Sequence, residues 1–185
     1  MKPVSIISCA MMMICVACSQ NTEKKAVDAE PVFNKETETA AIMQVIDKET
    51  NCFFDGDYNC WMTNWSHATY AMQAWNNDDG TFDAAIGWDK INAQGKEWIE
   101  KYYANGKNVI HPLVKKEKPQ VVFFNNNAAY LLWKQYNADK DKKFFRISQE
   151  TRLMEKQADG WKIVNVSAFW DAKSKIPVDS LKLAE

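Results

Sequence analysis

The strongest constraint on this chain lies near its C-terminus. Residues 146–170 read Arg146-Ile-Ser-Gln-Glu150-Thr-Arg152-Leu-Met-Glu-Lys-Gln-Ala-Asp-Gly160-Trp161-Lys-Ile-Val-Asn-Val-Ser-Ala-Phe-Trp170. Leu153, Trp161, Ile163, Val164, Val166, Phe169 and Trp170 carry the β-branched and aromatic bulk of strands, and Ala158-Asp159-Gly160 carries a turn. A hairpin this long is stable only with something laid over one face, so the rest of the chain must supply that cover.

Register decides what faces the cover. A two-residue turn at Asp159-Gly160 sets Ala158 opposite Trp161, Leu153 opposite Val166 and Arg152 opposite Ser167. A three-residue loop with Gly160 left-handed sets Gln157 opposite Trp161. The second choice puts Ser148, Glu150, Arg152 and Met154 on one face with Val164, Val166, Ala168 and Trp170. One slip exchanges the two faces. Turn chemistry favours the three-residue loop.

The chain begins with an export signal over 1–17. Lys2 is its basic end, and Val4 to Val16 is apolar but too short to span a bilayer. The run ends in Cys15-Val16-Ala17-Cys18, which resembles the lipobox of bacterial lipoproteins, with Cys15 where leucine is usual. The resemblance implies lipidation at Cys18, anchorage in a membrane of the bacterial cell envelope, and a protein facing the periplasm or the outer surface. The alternative is an ordinary secretory signal cut nearby. Residues 18–35 read as a solvated tether, 36–172 as one domain and 173–185 as a tail.

Eight tryptophans and 46% apolar residues give the domain an ample core. The net charge is −1 with both signs interspersed, and the absence of a basic stripe argues against nucleic acid as a partner. Cys52 and Cys60 lie eight apart in an exported chain, so a disulfide between them is expected, against the alternative of two small buried thiols. The histidines are His67 and His111, and no Cys, His or carboxylate cluster has ligand spacing, so no metal is expected. No cofactor is expected either, since the chain has neither a glycine-rich phosphate loop nor a nucleophile elbow.

Thr37 to Phe54 is the clearest helix. Ile42, Val45, Ile46, Glu49 and Phe53 recur at helical spacing along one side. Gly56 suits its C-terminal cap, and Asp57 can cap a short second helix, Tyr58 to Trp65. His67 to Trp75 reads as a strand and Asn76 to Thr81 as a turn. Asp89 is the expected N-cap of a third helix running to Ala104. Val109 to Val114 is weak. Gln120 to Phe124 and Ala128 to Tyr136 read as a hairpin turning at Asn125-Asn126-Asn127. A charged turn over 137–143 leads to closing strands Phe144 to Lys156 and Trp161 to Trp170. Two helices, a strand, a third helix and then about four antiparallel strands make an α+β fold, with a bent sheet around the long helix and a cleft at one end.

Three stretches carry a family likeness: Phe53-Phe54-Asp55-Gly56-Asp57-Tyr58, Gly87-Trp88-Asp89, and Ser148-Gln-Glu-Thr-Arg152 followed by Asp159-Gly160-Trp161-Lys-Ile-Val. Over about 40–170 the chain resembles the nuclear transport factor 2-like superfamily, closest to its SnoaL-like and calcium/calmodulin-dependent kinase association-domain branches. The resemblance implies a cone-shaped curved antiparallel sheet wrapped on a long N-terminal helix, often dimeric through the sheet. In the association-domain branch the arginine matching Arg152 points into the pocket. Two further pocket arginines correspond here to Ala168 and Gln135, and two histidines to Asn165 and Ser167. Arg152 and Ala168 share a face only with the three-residue loop.

Two roles are open to Arg152: a structural ion pair with Glu150, or a ligand clamp. Trp133 and Gln135 share a face by strand alternation. Together with Trp61, Trp65, Tyr70, Trp88 and Trp170 they could line a pocket for a small organic ligand, although a domain with so many tryptophans must place most of them in its core. Ketosteroid isomerases and SnoaL-type cyclases of the superfamily use a buried Asp or His as base. By type alone His67, Asp89 and Asp171 are candidates, against plainer roles as a strand-end residue for His67 and a helix cap for Asp89. The expectation is an anchored domain that binds a small ligand or a partner; the alternative is a cofactor-independent isomerase, cyclase or hydrolase.

Overall fold

The computed structural model describes residues 33–103 and 111–183. The export signal, Cys18 and nearly all of the tether fall outside them, as do Ala104 and residues 109–110.

The first helix, α1, is Lys35–Phe54, starting two residues before the expected Thr37. Asn34 is its N-cap: Oδ1 accepts from the backbone N–H groups of Glu36 and Thr37, both at 3.0 Å. Glu36 and Glu38 in the first turn complement the helix dipole. At the other end Gly56 takes φ 72°, a left-handed conformation that other residues adopt at a cost, and the chain turns back. Asp57 then caps α2, Tyr58–Met62, accepting from Cys60 N at 2.9 Å. This second helix is shorter than expected. The sulfurs of Cys52 and Cys60 are bonded across the bend, with Cα atoms 5.6 Å apart. The third helix, α3, is Trp88–Trp98 and continues as a π-helical turn, Ile99–Tyr103. Its N-cap is Gly87, which makes no side-chain cap, so Asp89 lies in the first turn and is not the cap.

The sheet has seven strands, more than the five expected. They are β1 (Met72–Asn76), β2 (Phe82–Ile86), β3 (Val114–Lys116), β4 (Gln120–Asn125), β5 (Ala128–Ala138), β6 (Phe144–Gln157) and β7 (Gly160–Pro177). The order is β2-β1-β7-β6-β5-β3, with β4 also paired to β5. The sheet is mixed, because β1 runs parallel to β7. His67 to Ala71 lie outside the strand expected there, and β2 is a strand where the residue pattern carries no assignment. Strand β7 runs on to Pro177, into the expected tail.

The hairpin turn differs from both alternatives. Gln157 pairs with Gly160 around Ala158-Asp159, and Lys156 pairs with Trp161. A bulge between Leu153 and Met154 then shifts the register by one, so Arg152 pairs with Val166, Glu150 with Ala168 and Ser148 with Trp170. Beyond the bulge the register is that of the three-residue loop. The inserted residue lies in β7 at Val164 rather than in the turn, which is what a bulge does to a long bent strand.

The concave face of this curved, unclosed sheet packs against α1. Ile42 and Ile46 of the helix join Trp61, Trp65, Leu131, Trp133, Met154 and Ile163 in one buried cluster. Gly95 of α3 lies where the Trp61 indole crosses; a Cβ there would overlap the ring.

Candidate functional site

The concave face is apolar toward the hairpin tip and polar toward the far ends of β5 and β6. Strand alternation brings Trp133, Gln135 and Asn137 of β5 beside Arg152, Glu150 and Ser148 of β6, because Trp133 pairs with Glu150 and Gln135 with Ser148. The C-terminal half of α1 lies opposite. Between them is a hollow of about 300 Å³, bordered by Ile46, Thr50, Phe54, Trp133, Gln135, Asn137 and Arg152, with His111, Pro112, Val114 and Lys116 along its rim. That is the lower end of the usual volume for a small-molecule site.

Arg152 is the charged centre of the wall. Its Nη1 donates to Glu150 Oε2 at 3.0 Å and to the Thr151 carbonyl at 2.8 Å, and its guanidinium lies 5.0 Å from the Trp133 ring centroid. The two side chains are 12% and 4% exposed, so the pair is buried. Ser148 Oγ donates to the other Glu150 oxygen at 2.6 Å. The ion pair and the pocket position coexist, so the two roles considered for Arg152 are not exclusive.

Glu49 is the residue sequence reasoning passed over. It projects from the apolar stripe of α1, and its Oε1 accepts from the indole N–H of Trp61 at 2.7 Å and of Trp65 at 3.3 Å. Burial pushes its carboxyl above the ordinary value; the positive field of Arg152 and the hydrogen bonds from Trp61, Trp65 and Thr50 pull the other way. A carboxylate at a stripe position was the available signal. His111 was also passed over except as a metal ligand. It borders the hollow, and its Nε2 lies 2.7 Å from Asp55 Oδ1.

Several expected lining residues are elsewhere. Trp61 and Trp65 are core, holding Glu49. Trp88 stacks on His67, with centroids 4.0 Å apart, and on Trp61, away from the hollow. Tyr70 is 61% exposed and donates to Glu155 outside it. Trp170 shares the concave face but sits past the hollow, under Arg146 and clamped by Asn76, whose side chain bonds both its N–H and its carbonyl. Trp61, Trp65 and Trp88 are claimed by packing around α2 and α3, as large rings commonly are. Of the residues suggested as bases, His67 lies against Trp88 and near the Met62 carbonyl. Asp89 is exposed in the first turn of α3. Asp171 accepts from Lys173 N and Ser174 N within β7, where its register against β6 shifts. None of the three reaches the hollow. Among the described residues, no group of three His, Cys, Asp or Glu is placed to hold a metal ion.

A wider groove of about 700 Å³ runs between the first half of α1 and the hairpin tip. It is open to solvent and its charges answer one another, Lys156 with Glu38 and Lys162 with Asp159. The smaller hollow is more enclosed and gathers convergent polar groups on an apolar wall, which is the better description of a ligand site.

No protein-family model and no curated protein sequence matches the chain. Solved structures do. An NTF-2-like protein of unknown function from Shewanella oneidensis is 20% identical with a TM-score of 0.53, over 71% of this chain and 98% of that one. The association domain of C. elegans CaMKII is 14% identical with a TM-score of 0.53, over 72% and 95%. A candidate ketosteroid isomerase from Shewanella frigidimarina is 15% identical with a TM-score of 0.50, over 69% and 94%. At these identities the likeness is one of fold: an α+β domain with an N-terminal helix on a curved sheet, of the nuclear transport factor 2-like or cystatin-like type.

Proposed function

We propose that the hollow beside Arg152 binds a small organic ligand, in a domain anchored to the bacterial cell envelope through lipidated Cys18. In this reading α1 and the sheet form a cone, and the hollow is its open end. The observation that carries the proposal is the placement of Arg152. Its guanidinium borders a cavity, over an aromatic face, while only Nη1 is engaged by the described residues. The walls of Ile46, Phe54, Val114 and Trp133 suit a flat apolar body, and Gln135, Asn137 and Arg152 suit one polar edge. Native mass spectrometry of the protein purified from its own host tests this. The expected result is a small-molecule adduct that Gln135→Leu weakens; protein that is always ligand-free, with no small molecule protecting it from thermal unfolding, counts against it.

A second reading, a cofactor-independent isomerase or cyclase, is favoured by His111 and Asp55. An imidazole held by a carboxylate at the rim of a cavity is a general-base arrangement. Binding that survives His111→Ala while any turnover is lost would favour this reading over simple binding. The same neighbours in fold include the candidate isomerase, which raises the reading without deciding it.

We also propose that the convex face of the sheet joins two copies. Ile86, Met72, Asn165, Leu153, Tyr130 and Val122 pair in one row across the sheet, and Phe82 and Phe169 flank it as exposed rings. Large exposed apolar patches usually mark interaction surfaces.

A further inference from the structure

Hydrogen bonds on the concave face run in one direction. Trp133 Nε1 donates to Gln135 Oε1 (3.2 Å), Gln135 Nε2 to Asn137 Oδ1 (2.8 Å), Asn137 Nδ2 to Ser148 Oγ (3.1 Å), and Ser148 Oγ to Glu150 Oε1 (2.6 Å). Glu150 is the sink of the chain, and its second oxygen takes Arg152 Nη1. Such a chain polarises its members and fixes which way each amide points.

Fixed orientation determines what is left for a ligand. Each amide has two N–H donors and one oxygen. Gln135 and Asn137 each use their oxygen and one N–H in the chain, so each retains a second N–H among the described residues. Arg152 retains Nη2 and Nε on the same terms. Each amide oxygen already has a donor, whereas these N–H groups have no acceptor among the described residues, so the unmet demand on this wall is for an oxygen acceptor.

Charge then decides which acceptor. The basic side chains on the border of the hollow are Arg152, Lys116 and His111, and each already has a carboxylate within 3.0 Å: Glu150, Asp47 and Asp55. Glu49 is a fourth carboxylate, coupled to Arg152 across the interior. Every basic group at this border therefore has its carboxylate, and Glu49 adds acidic character behind them. A ligand carboxylate would lose its water and meet no unmatched positive charge, which is unfavourable in a partly desolvated cavity. A neutral carbonyl pays far less on entry and can use the same donors.

We propose that this hollow selects an uncharged flat ring bearing an amide or ketone oxygen, and rejects the carboxylic acid of the same shape. The proposal rests on the ligand-site reading above and specifies its chemistry. Arg152 Nη2 and the free Gln135 N–H direct the carbonyl oxygen, Trp133 and Phe54 flank the ring, and the matched ion pairs exclude anions.

Nicotinamide and nicotinate are suitable probes, because they share a ring and differ in the amide and the carboxylate. Saturation-transfer NMR on the full chain near neutral pH, titrating each probe, gives both affinities. The expected result is nicotinamide binding at least about tenfold tighter, a gap equivalent to about 1.4 kcal/mol, with nicotinamide binding weakened in Gln135→Leu. Trp133 is buried and its replacement risks unfolding, so the half-buried Gln135 is the better variant, with its thermal midpoint checked. Nicotinate binding as tightly as nicotinamide overturns the selection and leaves the ligand site standing. Binding of neither probe, or binding indifferent to Gln135→Leu, overturns the site and the selection with it.

Discussion

Glu49 occupies a place in the α1 stripe where an aliphatic side chain would ordinarily stand. Two indole N–H groups and the field of Arg152 make the position tolerable, but burial still raises its carboxyl above the ordinary 4.5. The native state therefore holds a proton that the unfolded chain gives up once pH passes 4.5. Stability from this group is fully present below that value and is lost as pH rises through the raised native one. Urea midpoints measured from about pH 5 to about pH 8 should decline in the wild type for this reason, and the decline should flatten in Glu49→Gln. A wild-type slope unchanged by the substitution would assign the effect elsewhere. Arg152 makes a second test. Removing it as Arg152→Leu leaves Glu150 buried without its counter-ion, a cost of about 3 kcal/mol or more. Replacing both as Arg152→Leu with Glu150→Leu should recover most of that, as read from chemical denaturation. At this scale the sequence showed Arg152 and Glu150 plainly, since charges among strand residues stand out. It did not show that the indoles of Trp61 and Trp65 turn inward to serve Glu49, because indole direction depends on what packs beyond the ring.

Elements here are held by local devices as well as by the core. The Cys52–Cys60 bond ties the end of α1 to α2 across the Gly56 bend. For so short a loop the chain-entropy account gives about 2.5 kcal/mol of stabilisation. Cys52→Ser with Cys60→Ser should lower the stability by that order in a denaturant titration; two alkylatable thiols in the unreduced protein would rule the bond out. Gly95 sets propensity against packing. Alanine would favour α3 by about 1 kcal/mol, but its Cβ would overlap the Trp61 indole, and overpacking costs about 1–3 kcal/mol. Gly95→Ala should therefore lower the melting temperature rather than raise it. The elements themselves were legible where periodicity was long, as in α1, β5 and β6. Strand β2 was not, because five residues, Phe82–Ile86, with little burial carry too weak a pattern to separate from linker. Asp89 misled as a cap because Gly87 can take φ 86° and start the helix two residues sooner.

For the whole molecule the convex face matters most. A stable pair of subunits buries about 800 Å² from each partner, and the paired row from Ile86 to Val122 with Phe82 and Phe169 is the apolar surface available for it. Phe169→Lys, on an exposed side chain, should leave the monomer folded and shift sedimentation equilibrium toward the monomer. A wild type that is monomeric at every concentration would remove this interface from the proposal.

From the residue order alone came the α+β class, the long first helix, the closing hairpin and the nomination of Arg152, since each rests on local periodicity or on chemistry visible in a few adjacent residues. The tertiary structure decided the rest. It moved the extra residue of the hairpin from the turn to a bulge at Val164, ran β1 parallel to β7, and placed five of the six nominated aromatics away from the hollow. Those outcomes depend on which surfaces meet across distant segments, and a strand shifted by one residue changes every side chain that a hollow can see.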